Sequence, residues 1–406
     1  MSRWYTCAPA NFVGDETFFW RDSGLLSRGL QKLGYESKTV LLAPGFEGDL
    51  PGIVRAEPRE LESSLWWREQ NLDGVIMVAW GRHRDTPVVR AIAGSRTPLV
   101  LHVDGSGAGY PFFRNVETLK TLWRAELDNA HGPGSRSVQF LKEAFTQAVK
   151  LALRHSYLKY RHLRYATVVT LQTPTSLEGH RRLCSMFGGK AHKVNLQLAG
   201  YPISPKCVMN PSIPKEKRII AIGRWEDIRQ KRPGVLMSVC SEIAGRHKDL
   251  GVDIFGSTTE ALAKWHRSLP SELRERIRVH GKQPGEVVSQ AMQTAQISFF
   301  PSAYEGGPQA LFECLACGAT TVALDSPDLP GTRWAADCHH ADLAARDTTE
   351  AYVEALERGL QKWQRAEYSA QQISALWFER TRAENVLKKM IAAAQAASVH
   401  TTVPIA

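Results

Sequence analysis

The sequence predicts an α/β protein with two doubly wound domains that face a central cleft, and three observations indicate this class. Short apolar segments alternate with helical patterns along the chain. The length of 406 residues exceeds the roughly 250–300 residues at which single cores stop growing. A proline-rich stretch separates two such arrays. We therefore place a first domain at 1–200, a linker at 201–217, a second domain at 218–385, and a C-terminal helix end and tail at 386–406.

In the first array, short apolar runs predict strands of the kind that is buried in a parallel sheet. They follow a presumed first strand that ends before Asn11. Leucines at helical spacing predict a helix over 23–33, and Gly34 stands at its natural stop. Residues 136–164 and 175–186 also favour helix. The further strands are predicted at 38–42, 74–80, 98–103 and 166–171.

Four prolines between 200 and 214 exclude a regular helix or a central strand in the predicted linker. The alternation of strands and helices then restarts. A mixed polar and apolar stretch from 361 to 397 predicts a long final helical segment, which suits packing on either domain. The strands of the second array are predicted at 218–222, 252–255, 278–280, 297–300 and 320–324.

The chain is basic, with a formal net charge of +10 and a pI of about 9.3, which favours an anionic partner. No apolar run approaches the roughly 18 residues of a spanning helix. The N-terminus lacks an apolar signal core and the seven cysteines suit no disulfide scaffold, so we expect a cytoplasmic protein.

The basic, tyrosine-containing stretch 144–177 favours a solvated face. Contact with the inner membrane face is the next alternative, and nucleic-acid binding, which we do not expect, comes last.

The most informative segment follows the predicted strand 297–300. Glu305 and two glycines occupy a loop, Pro308 suits the first helical position, and Glu313 falls on the second turn of the helix. In an open α/β sheet, ligands bind outside the carboxyl ends of the strands, where glycines admit a ligand and helix N-termini attract anions. Two carboxylates eight residues apart therefore suit the sugar and ribose hydroxyl groups of a nucleotide sugar.

A second motif begins where strand 218–222 ends. The planar fork of Arg224 suits a phosphate, and Lys231 adds a mobile point charge before the next helix. Together these cations would stabilise a diphosphate leaving group as its charge grows. Arg229 and Arg232 lie close by in the sequence, so the choice of lysine stays open.

These segments resemble the retaining glycosyltransferases of family 4, which have the GT-B fold. The match comprises Pro-Ser, Glu-Gly, a following Pro, and Leu-x-Glu-x-x-Ala-Cys-Gly around Glu313, and it covers 218–325. The resemblance implies that Glu305 contacts the donor sugar near the reacting centre, that Glu313 holds the ribose, and that Arg224 and Lys231 bind the diphosphate. It also assigns the following segment to donor binding: Gly306, Gly307, Pro308 and Gln309.

Other positions are assigned from the same resemblance with an alternative beside each. His102, at the end of strand 98–103, matches a histidine near the donor sugar, and a core histidine bonded to its surroundings is the alternative. Gly256 and Gly281 match loops that hold the nucleotide base, although glycines are common at strand ends. Gly14 is assigned to donor binding, but its loop lacks the glycine-rich turn usual in the family.

The resemblance implies a glycosyltransferase of the hexosyltransferase type, acting in glycan biosynthesis, with a nucleotide-sugar donor and an unknown acceptor hydroxyl. It implies retention of configuration without a metal or other cofactor. Cys314 and Cys317 form a C-x-x-C without a second pair, so we predict no zinc site. Two other classes remain open at this point: an epimerase-like enzyme of sugar nucleotides on the same fold, and a non-catalytic scaffold of glycan assembly.

Overall fold

The fold comprises two compact units. A computed structural model describes residues 1–79, 83–105, 141, 145, 154–188 and 194–399. The units divide between Ser204 and Pro205, and again between Glu379 and Arg380. The C-terminal segment therefore belongs to the first unit, and the predicted linker 201–217 spans the first division point.

The first unit is built on a parallel sheet that has seven strands among the described residues. These are β1 (Trp4–Ala8), β2 (Thr39–Leu42), β3 (Ile53–Ala56), β4 (Gly74–Ala79), β5 (Leu99–Val103), β6 (Val168–Leu171) and β7 (Leu196–Leu198). Their order is β3-β2-β1-β4-β5-β6-β7. The winding therefore reverses between β1 and β4, where doubly wound sheets offer a binding crevice.

Helices cover both faces of this sheet. The described helices are α1 (Asp22–Lys32), α2 (Pro58–Leu61), α3 (Ser64–Glu69), α4 (Thr86–Gly94), α5 (Arg154–Leu163), α6 (Pro174–Gly188) and, at the C-terminus, α15 (Ala383–Val399). On one face, Leu26 of α1 and Leu387 of α15 pack with Ile76 of β4. On the other face, α4, α5 and α6 pack around β4 and β5, as the alternation of side chains along a strand requires.

The second unit contains a parallel sheet with six strands among the described residues. These are β8 (Glu216–Gly223), β9 (Gly251–Gly256), β10 (Ile277–Gly281), β11 (Ala295–Phe300), β12 (Thr320–Leu324) and β13 (Ala341–Ala344). Their order is β10-β9-β8-β11-β12-β13. The winding reverses between β8 and β11, so the loops that follow these two strands leave the same edge of the sheet side by side.

Helices alternate with the strands of the second unit. They are α7 (Pro233–Arg246), α8 (Glu260–Ser268), α9 (Ser271–Arg276), α10 (Gly285–Thr294), α11 (Gln309–Ala316), α12 (Pro330–Asp337), α13 (Thr349–Gln364) and α14 (Ala370–Thr381), the last of which reaches the division point. Helix α13 packs against α7 and against β11, β12 and β13. No helix within the described ranges is both long and apolar enough to cross a membrane.

The predicted helical stretch 361–397 is wrong as one segment, because the chain turns twice within it. Helix α13 ends at Gln364, and Ala366 adopts a left-handed conformation with φ of 55°. A second break at Arg382 separates α14 from α15. Of the helical stretch predicted over 136–164, the part 154–164 and residues 141 and 145 lie within the described residues, and α5 accounts for most of that part.

Candidate active site

The loop after β8 starts at a close approach of two backbones. Gly223 is the register partner of Gly256, which has φ of 118°. A Cβ atom on Gly256 would lie 1.8 Å from the carbonyl oxygen of Gly223, so only glycine fits there. The buried indole of Trp225 donates a hydrogen bond to the carbonyl of Phe255 at 2.9 Å. These contacts fix the backbone on either side of Arg224.

Residues 224–231 form a turn that backbone hydrogen bonds close. The N–H of Asp227 donates to the carbonyl of Arg224 at 2.9 Å, and the N–H of Lys231 donates to the carbonyl of Asp227 at 2.8 Å. The guanidinium of Arg224 lies 3.3 Å from Oε1 of Gln230 and 3.7 Å from Oδ2 of Asp227. Because the Arg224 side chain is 68% exposed, its charge is accessible to an anionic ligand.

Glu305 lies in the loop after β11 and meets the loop after β8. Its backbone N–H donates to the carbonyl of Asp328 at 2.9 Å, and the N–H of Ala303 donates to the carbonyl of Gln230 at 2.8 Å. Oε1 of Glu305 forms an ion pair with Nζ of Lys231. Oε2 accepts a hydrogen bond from Nε2 of Gln230 at 2.9 Å. The structure thus brings together Glu305 and Lys231, two of the predicted catalytic residues.

The pair between Glu305 and Lys231 is largely removed from water, with side-chain exposures of 8% and 13%. Charges in such positions persist when they are paired and hydrogen-bonded, because an unpaired buried charge costs several kcal/mol. Each group therefore restrains the orientation of the other. Gln230 completes this arrangement, since its amide also donates to the carbonyl of Tyr304 at 3.1 Å. Gln230 is not predicted from the sequence, because a glutamine beside a lysine carries no distinctive pattern.

The neighbouring Arg232 has a different environment from Lys231. It is buried, and its guanidinium contacts Oδ1 of Asp347 at 2.6 Å, the hydroxyl of Tyr352 at 3.2 Å and the carbonyl of Pro301 at 3.3 Å. Burial disfavours its charge, but Tyr352 and Asp347 outweigh this and raise the pKa of Arg232. Arg232 therefore stays charged and internal, whereas Lys231 reaches Glu305.

Helix α11 carries the second predicted carboxylate. Pro308, predicted at the first helical position, is instead the N-cap, and the helix begins one residue later at Gln309. Nε2 of Gln309 donates to Oε1 of Glu313 at 2.8 Å, one helical turn further on. Gly318 follows the C-cap of the helix with φ of 81°, a left-handed conformation that favours glycine and ends the helix.

The adjacent strands β9 and β10 carry a stacked ring pair near their carboxyl ends, which is not predicted from the sequence. The rings of Phe255 and His280 are 4.4 Å apart and nearly parallel. Nε2 of His280 lies 2.7 Å from Oδ1 of Asp253, and Arg218 pairs with the other carboxylate oxygen at 2.7 Å. Gly281 comes next, with φ of 70°. The buried carboxylate of Asp253 thus holds the ring that precedes this predicted base-binding glycine.

In the first unit, His102 is buried on β5. Its Nδ1 lies 3.0 Å from the hydroxyl of Thr170, and among the described residues its Nε2 has no hydrogen-bond partner. Burial lowers the pKa of His102 to about 4, so the ring is neutral near pH 7. His102 lines a small cavity of about 10 Å³ with Asp104, Gln172 and Tyr201, which matches the size of one water molecule.

Gly14 lies in a loop that is tied to the edge of the first sheet. Its N–H donates to Oδ1 of Asp49 at 2.8 Å, and Asp49 pairs with Arg55 at 2.6 Å. A Cβ atom on Gly14 would lie 2.5 Å from Cγ1 of Ile53. A side chain at position 14 would therefore displace that of Ile53, and the predicted role of Gly14 in donor binding remains a prediction.

Comparison of this sequence with known protein families agrees with the geometry of the site. Residues 216–362 match the family described as glycosyl transferases group 1. The second unit of the chain thus contains a region similar to group 1 glycosyltransferases. As the motifs predict, the chain is an enzyme that transfers a sugar from a nucleotide-sugar donor. No curated protein matches the sequence. The residues that the structure describes include no group of three His, Cys, Asp or Glu side chains arranged to hold a metal ion.

Solved structures similar to this glycosyltransferase span nearly its whole length. The α,α-trehalose 6-phosphate synthase of Burkholderia multivorans is 10% identical with a TM-score of 0.65, covering 99% of this chain and 100% of its own. The lipopolysaccharide outer core galactosyltransferase WaaB is 16% identical with a TM-score of 0.60, covering 98% and 99%. Anabaena Alr3699/HepE, solved with UDP and glucose, is 13% identical with a TM-score of 0.59, covering 97% and 100%. At these identities the likeness shows the fold, and it confirms the predicted GT-B class.

Proposed function

We propose that this glycosyltransferase moves a hexose from a uridine diphosphate sugar to an acceptor hydroxyl, with retention of configuration and without a metal ion. The observation that carries the proposal is the contact of Glu305 with Lys231 beside the exposed Arg224. One carboxylate and two cations lie there in the loops that follow two adjacent parallel strands, β8 and β11. The structures of HepE with UDP and with UDP-glucose support the choice of uridine.

Arg224 and Lys231 are proposed to bind the diphosphate. The guanidinium supplies paired N–H donors and the ammonium a point charge, and both are suited to phosphate oxygens. As the bond to the sugar breaks, negative charge grows on the leaving diphosphate. Cations already held in place stabilise that charge without further reorganisation, which lowers the barrier. This role explains why the turn 224–231 is closed by backbone hydrogen bonds.

Glu305 is proposed to orient the donor sugar, and Glu313 to hold the ribose. The backbone N–H groups of Gly306, Gly307 and Gln309, with Pro308 as the N-cap between them, would complete the sugar contacts at the N-terminus of α11. Gly256 and Gly281 are proposed to let the base approach the backbone. In the first unit, His102 is proposed to lie near the donor sugar, and Gly14 to contribute to donor binding.

Retention fits a reaction in which acceptor and leaving group share one face of the sugar. The bond between the anomeric carbon and the diphosphate oxygen breaks, and a bond from that carbon to the acceptor oxygen forms. The acceptor proton passes to the departing phosphate oxygen, so no additional base is required. Arg224 and Lys231 stabilise the diphosphate that leaves. The products are a glycosylated acceptor and a nucleoside diphosphate.

Calorimetric titration of the purified protein with UDP, GDP, ADP and dTDP, with and without magnesium, tests the proposal. We expect UDP to bind equally well in both conditions, and Arg224→Ala to weaken UDP binding by about tenfold or more. Lys248→Ala, at an exposed cation elsewhere in the second unit, is the control and should bind UDP as the wild type does. Failure of all four nucleotides to bind, or strict dependence on magnesium, would contradict the proposal.

Peripheral contact with an anionic membrane surface at the inner face of a cytoplasmic membrane is proposed for α5. The helix exposes Tyr157 and Arg161, and Arg164 follows it, so one amphipathic surface combines an aromatic ring with two cations. Co-sedimentation with phosphatidylcholine vesicles, with and without phosphatidylglycerol, measures this contact. We expect binding only to the anionic vesicles and its loss in Arg161→Glu. Equal sedimentation with both vesicles would refute it.

A further inference from the structure

Arg232 has a strained backbone and a buried charge, although it directly follows Lys231, which is proposed to bind the diphosphate. Its φ is 53°, in the left-handed region where residues other than glycine are uncommon. It is 1% exposed, and in the described structure Nε of its guanidinium has no hydrogen-bond partner. A strained backbone position is energetically unfavourable and persists where its surroundings impose it. This combination calls for a reason beyond general packing.

The contacts of Arg232 join three separate segments of the second unit. One nitrogen of the guanidinium contacts the carbonyl of Pro301, the residue that follows β11 and begins the loop carrying Glu305. The same nitrogen contacts the hydroxyl of Tyr352 on α13. The other terminal nitrogen contacts Asp347 in the connection from β13 to α13. The hydroxyl of Tyr352 in turn donates to Asp347 at 3.1 Å, so the three side chains restrain one another.

The position of Arg232 in the chain gives these contacts a consequence for the ion pair described above. Arg232 directly follows Lys231, and it is the N-cap of α7. Its backbone therefore fixes where Lys231 leaves the turn, while its side chain fixes where the loop with Glu305 leaves β11. One residue thus sets the spacing of both partners of the pair. The planar fork of arginine suits such a role, because it reaches several acceptors in a rigid geometry.

We propose that Arg232 is a positioning residue, which aligns Lys231 and Glu305 for the diphosphate and sugar of the donor. It acts through these residues and does not itself touch the substrate. The inference rests on the proposed function, since it assumes that Lys231 binds the diphosphate. It predicts that loss of Arg232 impairs recognition of the phosphates more than recognition of the nucleoside.

The test compares the affinities for UDP and for uridine in Arg232→Met and in the wild type. We expect UDP affinity to fall by about tenfold or more while uridine affinity stays within about twofold, because only the phosphates contact Lys231. In Arg232→Met, kcat should also fall by about tenfold or more, since small misplacements near the reacting centre are costly. Arg232→Lys keeps the charge without the fork and should restore only part of the UDP affinity.

A matched control separates positioning from general destabilisation. Ile243→Ala removes buried volume from the same helix, α7, at a position away from the loop, and should lower stability without changing the ratio of UDP to uridine affinity. If Arg232→Met does not fold, Tyr352→Phe removes one partner of the guanidinium while keeping the buried ring, and should shift the ratio in the same direction by a smaller factor.

The outcomes distinguish this inference from the function on which it rests. If the wild type binds UDP but Arg232→Met leaves the ratio of UDP to uridine affinity unchanged, the positioning role is overturned and the proposed function stands. An equal change of the ratio in Ile243→Ala would also overturn it, because the effect would then follow from destabilisation. If the wild type binds no UDP, the proposed function fails and takes the inference with it.

Discussion

At the scale of single residues, Gly256 shows how backbone geometry determines which amino acid a position accepts. This glycine has a left-handed φ, and a Cβ atom added to it would lie 1.8 Å from the carbonyl oxygen of Gly223, so there is no room for a side chain. We predict that Gly256→Ala destabilises the second unit by about 2 kcal/mol or more, because strain and a steric clash add together. Urea unfolding monitored by circular dichroism measures the change.

Gly245 provides the comparison for this substitution. It lies in α7, and a Cβ atom placed there would meet nothing within 4 Å. Gly245→Ala should therefore stabilise the protein by up to about 1 kcal/mol through helix propensity. Equal effects of the two substitutions would show that the close approach of β8 and β9 does not constrain the loop that carries Arg224.

Glu305 is the residue whose charge the candidate site depends on most directly. Glu305→Gln keeps the shape of the side chain but leaves the ammonium of Lys231 without its carboxylate. We expect turnover to fall by about a hundredfold or more, since the preorganised charge arrangement is lost. Steady-state kinetics with a radiolabelled donor gives the rate, and the circular dichroism spectrum checks the fold.

Glu226→Gln is the control for Glu305→Gln, because Glu226 is exposed on the same segment that carries Lys231. It should retain nearly full turnover. Activity of Glu305→Gln close to that of the wild type would remove Glu305 from the catalytic residues and leave the pair with Lys231 as a purely structural contact.

The residues of the site differ in how far they could be predicted from sequence. Glu305 and Lys231 each belong to a recognisable motif, although Arg229 and Arg232 beside Lys231 leave the choice of cation open at the level of sequence. Gln230 and Arg232 have no such pattern, because their partners lie about 70 residues or more away along the chain. Such contacts depend on the strand order, which places the ends of β8 and β11 side by side.

At the scale of elements, α15 contributes to the core of the first unit, although it lies at the other end of the chain. Leu387 is fully buried and shares a cluster with Leu26 of α1 and Ile76 of β4. We predict that Leu387→Ala lowers the free energy of unfolding by about 2–5 kcal/mol, because it leaves a cavity in the core that the surrounding side chains do not fill. Urea denaturation measures this loss.

The adjacent Lys388 tests whether burial is the cause. It is exposed on the same helix, so Lys388→Ala should change the free energy of unfolding by no more than about 0.5 kcal/mol. A small loss in Leu387→Ala would mean that α15 contributes little to the first unit in solution.

Central strands of both sheets are predicted from sequence, whereas several short edge strands are not. β3, β7 and β13 are short and partly exposed, so they lack the continuous apolar run that marks a buried parallel strand. The turn at Ala366 is also unpredicted, because the segment between α13 and α14 contains neither glycine nor proline. Tertiary packing, which a local pattern does not record, decides these places.

At the scale of the whole molecule, several buried bases in the first unit make stability depend on pH. Burial lowers the pKa of His102 to about 4, that of His162 and His180 to about 3, and that of Lys159 to about 7. Their pKa values are higher in the unfolded chain, at about 6.5 for histidine and 10.4 for lysine. Between the folded and unfolded values the unfolded state binds more protons, so each base makes the protein more stable as pH rises.

We therefore predict that the melting temperature increases from about pH 5 to about pH 8. Differential scanning calorimetry across this range measures the trend. Lys159→Met should stabilise the protein by roughly 1–4 kcal/mol near pH 7, because it removes a buried cation. Arg161→Met, an exposed position on the same helix, should have little effect. A melting temperature that falls with rising pH would contradict the predicted sign.

The return of the chain to the first unit at Arg380 has a consequence for the order in which the protein is made. Domains generally fold as units, N-terminal first, during synthesis. Here the first sheet is translated early, yet α15 reaches it only after residues 205–379 have been made. Residues 205–379 are continuous, so the second unit can complete its fold sooner. Nascent chains therefore expose an apolar face of the first sheet until α15 has been made, and this face is a natural site for chaperone binding.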